Sequence, residues 1–186
     1  FTNNRRLRLN RRRRTECRVT IKKIVERDDT MPNNLFAQFC SPMQGRLVAL
    51  DQVPDPVFAG KILGEGFAID PQTGEVTAPF NATVTSLMED SRHAVGLTAE
   101  NGTEVLIHIG IDTVKLGGVG FVALVAQGDT VQAGQLLLKV DLAQIQDKVP
   151  STVSPIVFTN LPEGLAVTVE TDRLVQSGET GFFRVE

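Results

Sequence analysis

From residue 39 onward, apolar and polar positions alternate in short stretches, and each stretch ends at a cluster of turn-forming residues. Residues 76–87, 93–98, 104–111, 130–140 and 166–170 carry this period-two pattern and predict β-strands. The breaks fall at Pro54-Asp55, Gln72-Thr73-Gly74, Asn101-Gly102, Gln127-Gly128-Asp129, Pro162-Glu163-Gly164 and Ser177-Gly178, where these residue types supply the backbone angles of turns. Helical pattern is scarce; residues 141–148, stopped by Pro150, are the best candidate. Regularly spaced short strands predict an all-β antiparallel sandwich or barrel with short helical turns. The octet Ser41-Pro-Met-Gln-Gly-Arg-Leu-Val echoes Ala78-Pro-Phe-Asn-Ala-Thr-Val-Thr, and each copy leads into an alternating strand. Two copies of one β unit predict a duplicated sandwich.

The first thirty residues break this pattern. They hold eleven Lys and Arg against four acidic residues, a local charge of +7, and leave −10 on the remainder. Arg11-Arg12-Arg13-Arg14 repels itself, and few apolar side chains offset the cost of ordering the segment. Residues 1–30 therefore read as a basic, disordered linker or extension, with a short helix over 20–27, and residues 31–186 as the domain. A basic arm for anionic lipid or RNA is the functional alternative. Ten Phe with no Trp or Tyr offer little stacking surface for single strands, so no nucleic-acid partner is expected. Two cysteines, Cys17 and Cys40, are too few for a disulfide scaffold and predict a reducing, cytoplasmic setting. No apolar run approaches the roughly 18–20 residues that span a bilayer. Membrane contact is expected only through a permease or through the basic segment.

Chemistry concentrates on the two histidines of the chain, His93 and His108. Asn101-Gly102 lies between them and predicts a two-residue hairpin turn. That turn sets His93 opposite Gly110 and His108 opposite Val95, so both imidazoles share one face as a diagonal pair, about 7–8 Å apart at the backbone. A slip of one residue would put them on opposite faces. Val105, Ile107, Ile109 and Ile111 form the core side of the second strand, which leaves His108 on the outer side between Leu106 and Gly110. The glycine leaves the neighbouring ring open to another molecule. A neutral imidazole is a competent nucleophile, so one histidine could attack a phosphoryl group while the other hydrogen-bonds its oxygens. Asp112 could orient a ring through its N–H, and Ser91 could add a hydroxyl. Such phosphoryl transfer needs no tightly held cofactor. Two other chemistries stay open: zinc bound by His93, His108 and Asp112, and a Ser91-histidine-Asp112 hydrolase, which lacks the Gly-x-Ser-x-Gly elbow. The glycine-rich stretches at residues 60–66 and 117–120 do not follow the phosphate-loop pattern and read as turns.

Val53-Pro-Asp-Pro-Val-Phe-Ala-Gly-Lys-Ile-Leu-Gly-Glu-Gly-Phe-Ala-Ile69, Ser91-Arg-His-Ala94 and Ile107-His-Ile-Gly-Ile-Asp-Thr-Val114 resemble the glucose-type enzyme IIA domain of the bacterial phosphoenolpyruvate:sugar phosphotransferase system. The likeness runs over about residues 40–185. It implies a duplicated barrel–sandwich hybrid that carries a phosphohistidine. By this resemblance His108 accepts a phosphoryl group from the histidine-containing phosphocarrier protein and passes it to a cysteine on an enzyme IIB domain of a sugar permease. His93 is then the companion histidine, with Asp112 and Ser91 at supporting positions. Val57, Phe58, Ile62, Leu63, Met88, Leu106 and Val114 match the apolar rim on which partners dock, and two or three of them are expected to be core instead. No cofactor is required, though His93 and His108 match a zinc site that some relatives share with a partner. Ala82, Met88 and Arg92 depart from the family's usual glycine, aromatic and small polar residue. A zinc peptidase on a similar scaffold would need a His-x-His pair that is missing here. A lipoyl-type carrier, suggested by Gly128-Asp-Thr-Val-x-Ala-Gly134, needs a hairpin-tip lysine that neither Lys61 nor Lys139 supplies. A non-catalytic regulator, whose docking on regulatory targets is switched by phosphorylation of the same face, is the remaining alternative.

Overall fold

The strands follow in chain order as β1 (Gly45–Ala49), β2 (Glu65–Pro71), β3 (Glu75–Thr77), β4 (Ala82–Leu87), β5 (Ala94–Ala99), β6 (Glu104–His108), β7 (Phe121–Ala123), β8 (Thr130–Val131), β9 (Leu136–Val140), β10 (Ser154–Phe158), β11 (Val167–Val169), β12 (Leu174–Val175) and β13 (Phe183–Val185). Short helices α1 (Asn33–Gln38), α2 (Pro56–Ala59) and α3 (Leu142–Ile145) accompany them. This computed structural model describes residues 33–186, so the basic segment and the helix expected over 20–27 lie outside the described residues. The main sheet runs β12-β1-β2-β10-β6-β5-β4-β8, with a three-stranded sheet β3-β9-β7 and a pair β11-β13. Every pairing is antiparallel.

The duplication legible in the two octets is repeated in the backbone hydrogen bonds. Thr77 N donates to Pro42 O and Cys40 N to Pro79 O, each at 2.8 Å, so the two copies clasp one another reciprocally. Ser41 N donates to Glu179 O at 2.7 Å, and its counterpart Ala78 N donates to Gln135 O at 2.8 Å. Leu47 N reaches Arg173 O and Val84 N reaches Asp129 O, both at 2.8 Å. Each copy thus recruits its own short outer strand, β12 for β1 and β8 for β4, and the main sheet is arranged symmetrically about β10 and β6.

Several strands differ from the pattern-based expectation for identifiable reasons. The run 76–87 divides into β3 and β4 because Pro79 lacks a ladder donor and turns the chain. The run 130–140 divides at Gly134, which has φ 78°. β2 begins inside the glycine stretch that reads as a turn. A Cβ on Gly66 would lie 2.1 Å from Ile156 O, so glycine there marks the close approach of β10. β10 carries Pro155, which argues against a central strand, yet β6 pairing begins only at Ile156, so the missing donor breaks no bond to β6. Residues 141–148 shorten to α3, capped by Asp141, whose Oδ1 accepts from Gln144 N at 3.0 Å.

The core lies between the sheets, around a cluster of phenylalanines. The ring of Phe39 stands 5.2–6.2 Å from those of Phe67, Phe80, Phe158, Phe182 and Phe183. A second, smaller apolar group of Leu50, Val53, Phe58, Ala68, Ile111 and Val157 covers the outer side of β2 and β10. The segment carrying α2 therefore lies over the sheet, and β10 is buried along its whole length. That covering layer supports the histidines. Cys40 is buried, and Cys17 lies outside the described residues. Among the described residues no helix is long and apolar enough to cross a membrane.

Candidate active site

His93 and His108 meet, but by a different route from the one the hairpin turn predicts. β5 and β6 pair Ala94 with His108 and Val95 with Ile107, one residue off the expected register. The loop holds three residues rather than two: Ala99 N donates to Thr103 O, and Gly102 N to Ala99 O, both at 2.9 Å. A two-residue type I′ turn needs positive φ at both centres; here Gly102 has φ 86° and Asn101 stays in the ordinary region. Asn101 instead accepts Thr103 N on its side-chain oxygen at 3.1 Å. Strict alternation in this register would separate the histidines. His93 stands between Arg92, at φ 52°, and Ala94, the first residue of β5, and its carbonyl still accepts Ile109 N at 2.7 Å. The His93 ring nevertheless meets His108 edge to face, centroids 4.8 Å apart and planes at 82°.

Each imidazole is held at Nδ1. His108 ends β6 on the outer side of the sheet and packs on Phe58, ring centroids 5.0 Å apart. Its Nδ1–H donates to Gly110 O at 2.8 Å. A carbonyl only accepts, so the ring proton is on Nδ1 and the lone pair is on Nε2. Gly110 is thus needed for conformation rather than for openness. Its φ of 67° turns the carbonyl back to the ring, and a Cβ there would meet Thr113 Cγ2 at 2.7 Å. His93 and Ser91 are both buried, with Ser91 Oγ 2.6 Å from His93 Nδ1. Asp112 does not orient either ring; its carboxylate accepts Lys115 Nζ at 2.6 Å. The orienting group is the Gly110 carbonyl, a backbone atom that no residue-type pattern discloses.

Burial favours the uncharged imidazole and is the main influence on both rings. It lowers the His93 pKa, and it takes His108 down to about 4, helped by the proximity of His93. The Gly110 carbonyl and the Asp55 carboxylate pull His108 the other way without prevailing. Both rings are neutral at pH 7, which leaves Nε2 of His108 nucleophilic. A histidine titration followed by NMR should give His108 a midpoint near 4, well under the ordinary 6.5. Because the folded-state pKa lies below the unfolded one, the contribution of this ring to stability is intact above about pH 6.5 and is lost as pH falls toward 4. His108→Gln is expected to flatten that part of the stability–pH curve.

Residues 37–163 match the family described as phosphoenolpyruvate-dependent sugar phosphotransferase system, EIIA 1. The chain belongs to this family. It is 44% identical over 140 residues to a glucose-specific EIIA component from Staphylococcus epidermidis, covering 75% of this chain and 84% of that protein. Over the same length it is 42% identical to the Staphylococcus aureus glucose-specific EIIA component. The solved glucose permease IIA from Mycoplasma capricolum superposes with a TM-score of 0.70 at 38% identity, covering 78% of this chain and 93% of that one. The antiparallel β-sandwich expected from the strand pattern is the fold of this EIIA family.

Of the seven residues expected to form an apolar rim, five are exposed. Val57, Leu63, Met88 and Val114 are exposed, and Ile62 most of all at 72%. Phe58 is instead buried beneath His108, and Leu106 is half-buried. Val119, absent from the expected rim, is also exposed, on a loop whose Gly118 adjoins Asp90 O and the Arg92 guanidinium. Asp55 escaped notice as well. Its Oδ1 caps α2 by accepting Val57 N at 2.8 Å and Phe58 N at 3.2 Å, which sets Phe58 under the imidazole. The signal was present: Asp followed by Pro at the first helical position is a helix start, although Pro54-Asp55 also reads as a turn.

Proposed function

We propose that this EIIA domain is a phosphohistidine carrier that takes a phosphoryl group onto His108 Nε2 and hands it to a cysteine thiolate. The observation that carries the reading is the His108 Nδ1–H bond to Gly110 O, which leaves a neutral ring with its lone pair on Nε2, edge to face with a second neutral imidazole. Nε2 attacks the phosphorus of the incoming phosphohistidine; one N–P bond forms as the other breaks, and Nδ1 keeps its proton. With the Ser91 hydroxyl donating to His93 Nδ1, the His93 proton sits on Nε2 and serves the phosphoryl oxygens. In the second step the thiolate attacks phosphorus and the N–P bond breaks, returning His108 to its starting tautomer. The donor is the histidine-containing phosphocarrier protein and the acceptor an enzyme IIB domain of a sugar permease. On this reading the domain is a phosphotransferase that works in the cytoplasm, free or joined to a permease.

The exposed rim gives either partner an apolar ring around a small polar centre, the usual anatomy of a transient interface. Phosphorylation places close to two negative charges at its middle, which suits regulatory targets that bind one state only. A zinc ion would find the lone pair of His108 Nε2, could take His93 Nε2 only if the His93 proton moved, and would need its other ligands from a partner. Among the described residues no group of three or more His, Cys, Asp or Glu is gathered to hold a metal.

The reading is tested by phosphoryl uptake from the phosphocarrier protein and release to enzyme IIB. His93→Ala is expected to accept label on His108 but to do so roughly 10²–10³-fold more slowly, the cost of one lost oxyanion donor. Uptake at the wild-type rate would remove His93 from the chemistry.

A further inference from the structure

Burying a polar side chain is costly unless it is bonded, so where such groups gather is informative. Among the described residues the buried polar side chains are Ser41, Ser91, His93, Thr113 and Ser154, and all but Ser41 lie at the site. Two of them, Thr113 and Ser154, bond to backbone rather than to an imidazole. Both are fully buried, and both are bonded to the same peptide group. The Ile109–Gly110 peptide accepts Thr113 Oγ1–H on its carbonyl at 2.5 Å, and its N–H donates to Ser154 Oγ at 3.2 Å. The Ser154 hydroxyl in turn donates to Thr152 O at 2.9 Å. The next peptide carries the carbonyl that holds His108 Nδ1–H, and its own N–H donates to Ser151 O at 2.8 Å.

We propose that Thr113 and Ser154 are positioning residues that act through Gly110: a pair of hydroxyls clamping the Ile109–Gly110 peptide so that the following carbonyl stays aimed at His108 Nδ1. The proposal rests on His108 being the phosphoryl acceptor and deepens that reading by naming what fixes its tautomer. Gly110 is the reason a clamp is required. At φ 67° without a side chain it has wide freedom to turn, and a rotation of either flanking peptide would swing the acceptor away from the ring. A neutral imidazole freed from that carbonyl shares its proton between both nitrogens, and the Nε2–H form has no lone pair at Nε2 to attack with. Only a hydroxyl suits the Ser154 position, because it must accept from Gly110 N and donate to Thr152 O at once. Thr113 serves from the opposite end, one turn beyond the glycine, with its methyl against the space a Gly110 side chain would occupy.

The test uses the whole chain, labelled with ¹⁵N-histidine. Two-bond ¹H–¹⁵N spectra report the His108 tautomer, and uptake of label from the phosphocarrier protein reports the reaction. Thr113→Val and Ser154→Ala are each expected to mix the two tautomers and to slow uptake roughly 10–100-fold, the effect of a misplaced reacting atom. Thr113→Ser and Ser154→Thr, which keep the hydroxyls, are expected to return both readouts toward wild type. A single Nδ1–H tautomer with wild-type uptake in Thr113→Val and Ser154→Ala would overturn the proposal, even if both proteins melted earlier. Hydroxyl-keeping variants that behaved like the hydroxyl-free ones would overturn it too. The spectra need no phosphoryl donor, so they judge the clamp even if the wild type takes no label, an outcome that would instead dismiss His108 as the acceptor.

Discussion

Gly110→Ala is expected to lower stability by about 2–4 kcal/mol, combining a left-handed alanine with overpacking. The backbone stands at φ 67°, and the new methyl would sit 2.7 Å from Thr113 Cγ2 and 3.1 Å from Ser151 O. Neither neighbour yields easily. Thr113 is fully buried and tied to Ile109 O, and Ser151 O accepts Ile111 N at 2.8 Å. Relief by moving residue 110 would withdraw the carbonyl from His108, so a loss of phosphoryl uptake should accompany the loss of stability. Denaturant unfolding beside an uptake assay checks both. A variant within about 0.5 kcal/mol of wild type would show that the glycine is merely permitted there, since surface-like substitutions stay in that range.

Phe58→Ala should cost about 3–4 kcal/mol, the usual range for a large aromatic removed from a packed site. Phe58 is 6% exposed and joins Leu50, Val53, Ala68, Ile111 and Val157 over the outer side of β2 and β10. Its ring is also the platform of His108. Water admitted beside the imidazole would stabilise the charged form, so the His108 pKa should climb from about 4 toward its ordinary value. Asp55→Asn provides a contrast of opposite sign. It keeps the helix cap and removes a carboxylate that favours the charged ring, so His108 should titrate still lower. The two shifts, followed by NMR, separate burial from charge. If both variants moved the pKa in one direction, that division of causes would be wrong.

Much of the fold was legible because its strands are short, alternating and punctuated by glycine, asparagine and aspartate. β5, β6 and β11 emerge close to where the pattern puts them. β2 and β10 escaped because a strand covered on both sides does not alternate, and because Gly66 and Pro155 read as breakers until the partner strand is in place. The histidine pair was legible from two residues beside one hairpin, and the motif around His108 named its family. The register was not, because Asn101-Gly102 suits both a two-residue and a three-residue loop. The ligand of His108 Nδ1 is a backbone carbonyl, which any residue could supply. Ser154 lies forty-four residues from Gly110, so no local pattern could join them.

The most direct measurement is to phosphorylate the chain with radiolabelled phosphoenolpyruvate, enzyme I and the phosphocarrier protein, with His108→Gln alongside, and to map the label by ³¹P and ¹⁵N NMR. An acid-labile phosphoryl group on Nε2 of His108, absent from His108→Gln, is the predicted result. Label on Nδ1, label that persists in His108→Gln, or no label on the wild type would contradict it.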